Sequence, residues 1–138
     1  MSRLSIVTHI YNAQAGLDHH LALWRQYAPA LLAELEFVVV DDHSDPPLVA
    51  DRGSLNLRLL RVDDDIDWNM PGCRNLAAIQ AQSDWLLFFD IDNVTSEDNI
   101  RRMVEACPRL DRRRLHVFSR EHDGVIVEPH INSFLISR

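Results

Sequence analysis

The stretch Trp85-Leu86-Leu87-Phe88-Phe89-Asp90-Ile91-Asp92-Asn93-Val94 constrains this chain more than any other. Five consecutive apolar residues, three of them aromatic and bounded by polar residues, have the length and composition of a strand buried on both faces, as inside a parallel sheet. Two carboxylates follow at its C-terminal end. If strand geometry persists through them, alternation puts Asp90 and Asp92 on one side and Ile91 on the other, making a small acidic fork. Ligands of open α/β sheets collect outside the carboxyl ends of the strands, so such a fork suits a hard cation carrying a phosphorylated ligand. The alternative is that both acids simply end the strand and cap the next helix, as Asp and Asn are ordinary turn residues.

The same pattern recurs upstream. Leu4 to Asn12 is β-branched and ends in a turn residue, which predicts a first strand. Phe37-Val38-Val39-Val40 is a second buried strand and runs into Asp41-Asp42-His43-Ser44-Asp45. Leu57 to Val62 is a third, running into Asp63, Asp64, Asp65 and Asp67. Between these lie helical spacings. Leu17, Leu21 and Trp24 mark a helix over Leu17 to Tyr27, resumed after a break near Pro29 by Leu31, Leu32 and Leu35. Pro46-Pro47 stops the second strand and could open a short helix. Pro71 stands at a first helical position ahead of Arg74, Ala77, Ala78 and Ala81. Ser96 starts a further helix with Ile100, Met103 and Val104 on its apolar face. Short strands are expected at Leu115 to Ser119 and Gly124 to Val127, and one more within Ile131 to Ile136. Strand–helix alternation predicts a three-layer α/β/α domain over residues 1–138, its sheet mainly parallel, with antiparallel strands near the C-terminus.

Three successive strands ending in acids would gather negative charge along one sheet edge, which repels unless a cation or hydrogen-bond donors offset it. Mg²⁺ or Mn²⁺ bridging Asp90 and Asp92 to a diphosphate is the simplest offset, with Asp42 free to accept hydrogen bonds from a base or ribose. Arg74, near the positive end of its helix, could contact phosphate. It could equally form a surface ion pair with one of Asp63 to Asp67. A formal charge of -7 argues against a nucleic-acid or anionic-membrane surface. No apolar run approaches the ~20 residues of a membrane span, and a cytoplasmic protein is expected. Cys73 and Cys107 are too few for a disulfide framework or a zinc site of CxxC type.

Four pieces in order, Ser5-Ile6-Val7 through Tyr11-Asn12, Val38 to Ser44, Cys73-Arg74-Asn75 and Phe88 to Asp92, resemble the nucleotide-binding half of family-2 glycosyltransferases with the GT-A fold. The resemblance runs to about residue 106. It implies a nucleotide-sugar donor, UDP-linked as a first guess, and an acceptor the sequence does not identify. It implies nucleobase and ribose contacts for Tyr11 and Asp42, and a place near the nucleotide for Arg74. Asp90 would lie beside ribose and diphosphate, and Asp92 would be the main ligand of Mn²⁺ or Mg²⁺. Two departures accompany it. His9-Ile10 stands where the family usually has Pro before the YN turn, and only a short stretch follows Asp92, so the acceptor-binding segment and its general base are expected to be largely missing. Glu128 and His130 are candidates for that base by default. Alternatives are a non-catalytic nucleotide-sugar-binding fragment, or a haloacid-dehalogenase-like phosphohydrolase using Asp90 as nucleophile and Asp92 as proton shuttle. That second alternative lacks the downstream lysine such enzymes need, since no Lys follows Asp92.

Overall fold

The computed structural model describes residues 2–138. Four apolar runs form the parallel part of its main sheet: β1 (Leu4–Ile10), β2 (Leu35–Asp41), β3 (Leu57–Arg61) and β4 (Trp85–Phe88). β1 lies between β2 and β4, with Ile6 opposite both Phe37 and Leu87. Two C-terminal strands, β5 (His116–Val117) and β8 (Phe134–Ser137), complete the order β3-β2-β1-β4-β8-β5, with β8 antiparallel to both of its neighbours. The chain steps outward from β1 to β2 to β3, then crosses to the other side of β1 for β4. The crevice between β1 and β4 is therefore the switch point at which open α/β sheets bind ligands.

Both faces of the central strands are buried, which is why β2 and β4 carry the apolar runs Phe37 to Val40 and Trp85 to Phe88. One face packs Ile6, Phe37, Val39 and Leu87 against α1 (Gln14–Trp24), α2 (Pro29–Leu32) and α4 (Glu97–Ala106), with Trp24 stacked on Phe37 at 4.5 Å between ring centroids. The other packs Val7, Val38, Val40, Leu86 and Phe88 against Cys73 and Ala77 of α3 (Met70–Gln80). The expected three layers are present, and both cysteines are free and buried. α4 starts where expected, with Ser96 Oγ accepting from the Asn99 N–H and Ile100 and Val104 turned inward.

Several expected boundaries are corrected. Pro29 opens α2 at its first turn, but Leu35 belongs to β2 rather than to a helix. Pro46-Pro47 opens no helix. The backbone there bonds to other parts of the molecule: Ser44 and Leu48 N–H donate to the Asp41 carboxylate, and Val49 exchanges two hydrogen bonds with the Gln14 side chain. The expected strand over Leu115 to Ser119 shrinks to β5. An unforeseen strand, β6 (Arg120–His122), instead pairs with β7 (Val125–Val127) as a hairpin. Its two loop residues, Asp123 and Gly124, both have positive φ, which suits the twist of a two-residue hairpin. Ile131 and Asn132 form a turn closed by Ser133 N–H donating to the His130 carbonyl, so β8 starts only at Phe134.

Candidate functional site

The loops leaving β1, β2, β3 and β4 meet around a cleft of about 880 Å³ at the switch point, lined by His9, Tyr11, Asp42, Trp68, Asp90 and Asp92 among others. A cleft of about 960 Å³ on the opposite edge, around Tyr27, Leu35, Gln82 and Arg138, has no carboxylate in its lining.

β2 delivers two adjacent acids to different tasks. Asp41 is buried and takes hydrogen bonds from Ser44 N–H, Leu48 N–H and Arg61. Burial pushes its pKa up, but these donors outweigh that and hold it below 3.8. Asp41 thus shapes the loop, while Asp42 reaches the cleft. There Asp42 Oδ1 accepts from Asn69 Nδ2 at 3.0 Å. Beside it the Cys73 thiol is pushed up to about 12 by burial and by Asp42, and stays protonated. Asn69 immediately precedes α3, yet it spends its side chain on Asp42 instead of capping the helix. Gly72 makes that possible, since a Cβ there would stand 2.1 Å from Asn69 Oδ1.

On the other side of β1, strand geometry ends at Phe88, so the fork does not form by alternation. Residues 90–93 make a turn in which Asn93 N–H donates to the Asp90 carbonyl at 3.0 Å. Two side chains hold this segment from beneath: His20 bonds the Ile91 carbonyl at 2.7 Å, and Tyr27 Oη donates to the Thr95 carbonyl at 3.2 Å. Asp90 is engaged on both oxygens, by Arg74 at 3.1 Å and by Asn132 Nδ2 at 2.8 Å. Arg74 also donates to the Asn132 carbonyl, and its guanidinium lies over the rings of Phe88 and Phe134. Of the two readings of Arg74, the surface ion pair with Asp63 to Asp67 is not the one formed: α3 turns Arg74 toward β4, and its ion pair is with Asp90. Asp92 is exposed and open to the cleft.

Tyr11, Asp42, Asp90 and Asp92 all line the cleft, with Arg74 behind Asp90. Of the default base candidates, His130 is half-buried, its Nδ1 3.9 Å from Asp90 Oδ2, whereas Glu128 is exposed just beyond β7. Three lining residues had no part in the sequence-level site. Asn69 carried a signal, an Asn directly before a Met-Pro helix start. Asn132 carried none, being 42 residues from Asp90 and in an irregular turn. His9, noted only as a departure from the family pattern, has its Nδ1 buried without a hydrogen-bond partner. Burial, then the Arg74 charge, lower its pKa from 6.5, partly offset by Asp90 and Asp42.

Among the described residues no group of three or more His, Cys, Asp or Glu could hold a metal ion alone. The donor set fits a different scheme, in which Mg²⁺ or Mn²⁺ keeps most of its water and is held by one or two carboxylates plus phosphate oxygens. Asp92 has the exposure for that role. Asp90 could join by loosening its contacts with Arg74 or Asn132. The phosphohydrolase alternative fits poorly, because no Lys follows Asp92 to serve such a site and the cation beside Asp90 is Arg74 of the preceding helix.

A mostly parallel α/β/α sandwich with acids gathered at its switch point is the GT-A glycosyltransferase architecture. The chain belongs to glycosyl transferase family 2, whose model matches residues 5–126. Nothing among curated proteins matches it in sequence. Among solved structures it is similar to S. aureus TarS 1-349, at 16% identity and TM-score 0.72, covering 98% of this chain and 47% of that one. The same protein in complex with UDP-GlcNAc matches at 18% identity and TM-score 0.64, over 91% of this chain and 37% of that one. The mannosyltransferase PcManGT from Pyrobaculum calidifontis, in complex with GDP-Man and Mn²⁺, matches at 20% identity and TM-score 0.51, over 65% and 27%. At these identities the likeness concerns the fold. The chain spans less than half the length of each. Among the described residues no helix is long and apolar enough to cross a membrane.

Proposed function

We propose that this single domain binds a nucleoside-diphosphate sugar, UDP-linked as the first choice, at the β1–β4 switch point and contributes to transfer of its sugar. One observation carries the proposal: in a family-2 chain, Asp42 from the loop after β2 and Asp90 and Asp92 from the loop after β4 come onto one cleft. Asp42, fixed by Asn69, accepts hydrogen bonds from the nucleoside, and Tyr11 offers an exposed ring beside it. Asp92, with Asp90, would hold Mn²⁺ or Mg²⁺. That cation would supply charge neutralisation of the departing diphosphate. Arg74 adds a fixed positive charge behind Asp90, already desolvated and stacked, so little reorganisation is needed when the diphosphate develops charge.

The general base is the weak part of this machinery. Glu128 is exposed and not part of the cleft lining, and His130 lies against Asp90 rather than in the open cleft. We therefore expect donor binding and slow donor hydrolysis to exceed acceptor-dependent transfer, since base catalysis typically contributes about 10² to 10⁴ in rate. A cytoplasmic location belongs to the same proposal. Calorimetry with UDP, with and without Mn²⁺, tests it. UDP should bind more tightly with the ion, and Asp92→Ala should remove that gain while leaving metal-free binding and the fold intact. Equal metal-dependent affinity in wild type and variant would exclude the role given to Asp92.

A further inference from the structure

Trp68 stands out on three counts. Its indole is 97% exposed, whereas Trp24 and Trp85 are 2% and 4% exposed. Its φ of +54° lies in the left-handed region, where a bulky residue is a true outlier. It also lines the switch-point cleft. Its neighbour Asn69 is tied to Asp42 through the space that Gly72 leaves, so the strained turn is anchored on one side by that hydrogen bond. Strain that surrounding structure enforces is a pointer to function.

We propose that Trp68 is a stacking platform for the nucleobase of the ligand bound at this cleft, an inference that rests on the nucleotide-binding reading above. The base, rather than the sugar, is the ring it meets. Trp68 adjoins Asn69 and Asp42 on the β2–α3 side, while Asp90 and Asp92, where diphosphate and sugar would lie, sit on the β4 side. A flat indole standing in water gains by covering a π-face and makes no choice among bases. Trp68 therefore supplies affinity, while Asp42 and Asn69 supply discrimination.

The distribution of tryptophans makes the test simple, because only one of the three faces solvent. Nucleotide should change the red-edge-excited fluorescence of that indole. UMP and UDP with Mg²⁺ should do so alike, and Mg²⁺ with pyrophosphate should not. Trp68→Gly should weaken UDP by about five- to a hundredfold, the range of base–aromatic stacking. It should not lower the melting temperature, because glycine accepts the positive φ and the indole has no packing to lose. Trp68→Phe should keep part of the affinity. Unchanged UDP affinity in Trp68→Gly, an equal response to pyrophosphate, or a response to UDP-sugars but not UDP would each overturn the assignment. If calorimetry finds no nucleotide bound to the wild type, this inference falls with the functional reading. Normal binding with a silent Trp68 defeats this inference alone.

Discussion

The two ends of β2 carry the same chemistry and put it to opposite use. Near the start, Glu36 is only 1% exposed and fully occupied: Ser5 Oγ and Gln82 N–H donate to one oxygen at 2.6 and 2.8 Å, and Arg58 pairs with the other at 2.6 Å. Burial raises its pKa, but those donors prevail and hold it below 4.5. Just past the other end, Asp42 is nearly as buried at 8%, yet faces a cleft. Around it lie the unpartnered His9 Nδ1, the exposed Asp92 and the strained Trp68. One edge has closed its polar groups among themselves. The other has left capacity open, which a folded chain tolerates where a ligand can use it.

The sharpest way to break this contrast is Glu36→Ala, which strands Arg58, Ser5 and the Gln82 N–H. Removing one partner of a buried pair typically costs about 3–5 kcal/mol, and the partly exposed Arg58 puts the expectation at about 3 kcal/mol in urea denaturation. UDP affinity should not change. A loss below about 1 kcal/mol would mean that the N-terminal edge is not the closed network described.

Asp42→Ala should reverse the pattern. Deleting an acceptor that faces a buried donor costs about 1–3 kcal/mol, so calorimetry should show UDP weakened roughly five- to a hundredfold. Metal binding without nucleotide should be unaffected. If the loss appears only when metal is present, Asp42 belongs with Asp92 and the division of the cleft is wrong.

Acid titration offers a smaller, two-part test. His9 and His20 both have pKa values lowered from 6.5, burial being the largest cause. The fold favours their neutral forms, so the unfolded chain takes up protons first and stability declines as pH falls below about 6.5. Glu36 and Asp41 are lowered from 4.5 and 3.8, so their contribution is intact above those values and is lost as pH falls further, through the folded pKa values. Urea midpoints measured against pH should show both declines. His9→Gln with His20→Gln should flatten the first and leave the second. A single decline, confined to the acid range of Glu36 and Asp41, would show that neither histidine is held neutral by the fold.

Much of this was legible in the chain, for a physical reason. The central strands β2 and β4 are buried on both faces, so their middles are written as apolar runs, Phe37 to Val40 and Trp85 to Phe88, and the acids that follow them mark which sheet edge is polar. What stayed hidden depends on partners distant in sequence. Whether Arg74 meets Asp90 or Asp63 to Asp67 depends on how α3 is rotated against β4. Asn132 enters the site on the turn that precedes β8, an antiparallel strand whose register no local pattern encodes. The Pro46-Pro47 segment forms no helix because its neighbours' hydrogen bonds go to Asp41 and Gln14, partners that no local pattern reveals.

The place of β8 sets an order of assembly. It lies inside the sheet, between β4 and β5, although it follows β5 in the chain and is the last strand among the described residues. During synthesis on the ribosome β4 would therefore wait with one edge unpaired, a template for stray pairing, until residues 134–137 emerged to cover it. Asn132 arrives with that strand, so the hydrogen bond that fixes Asp90 cannot form until a residue 42 positions further along has emerged.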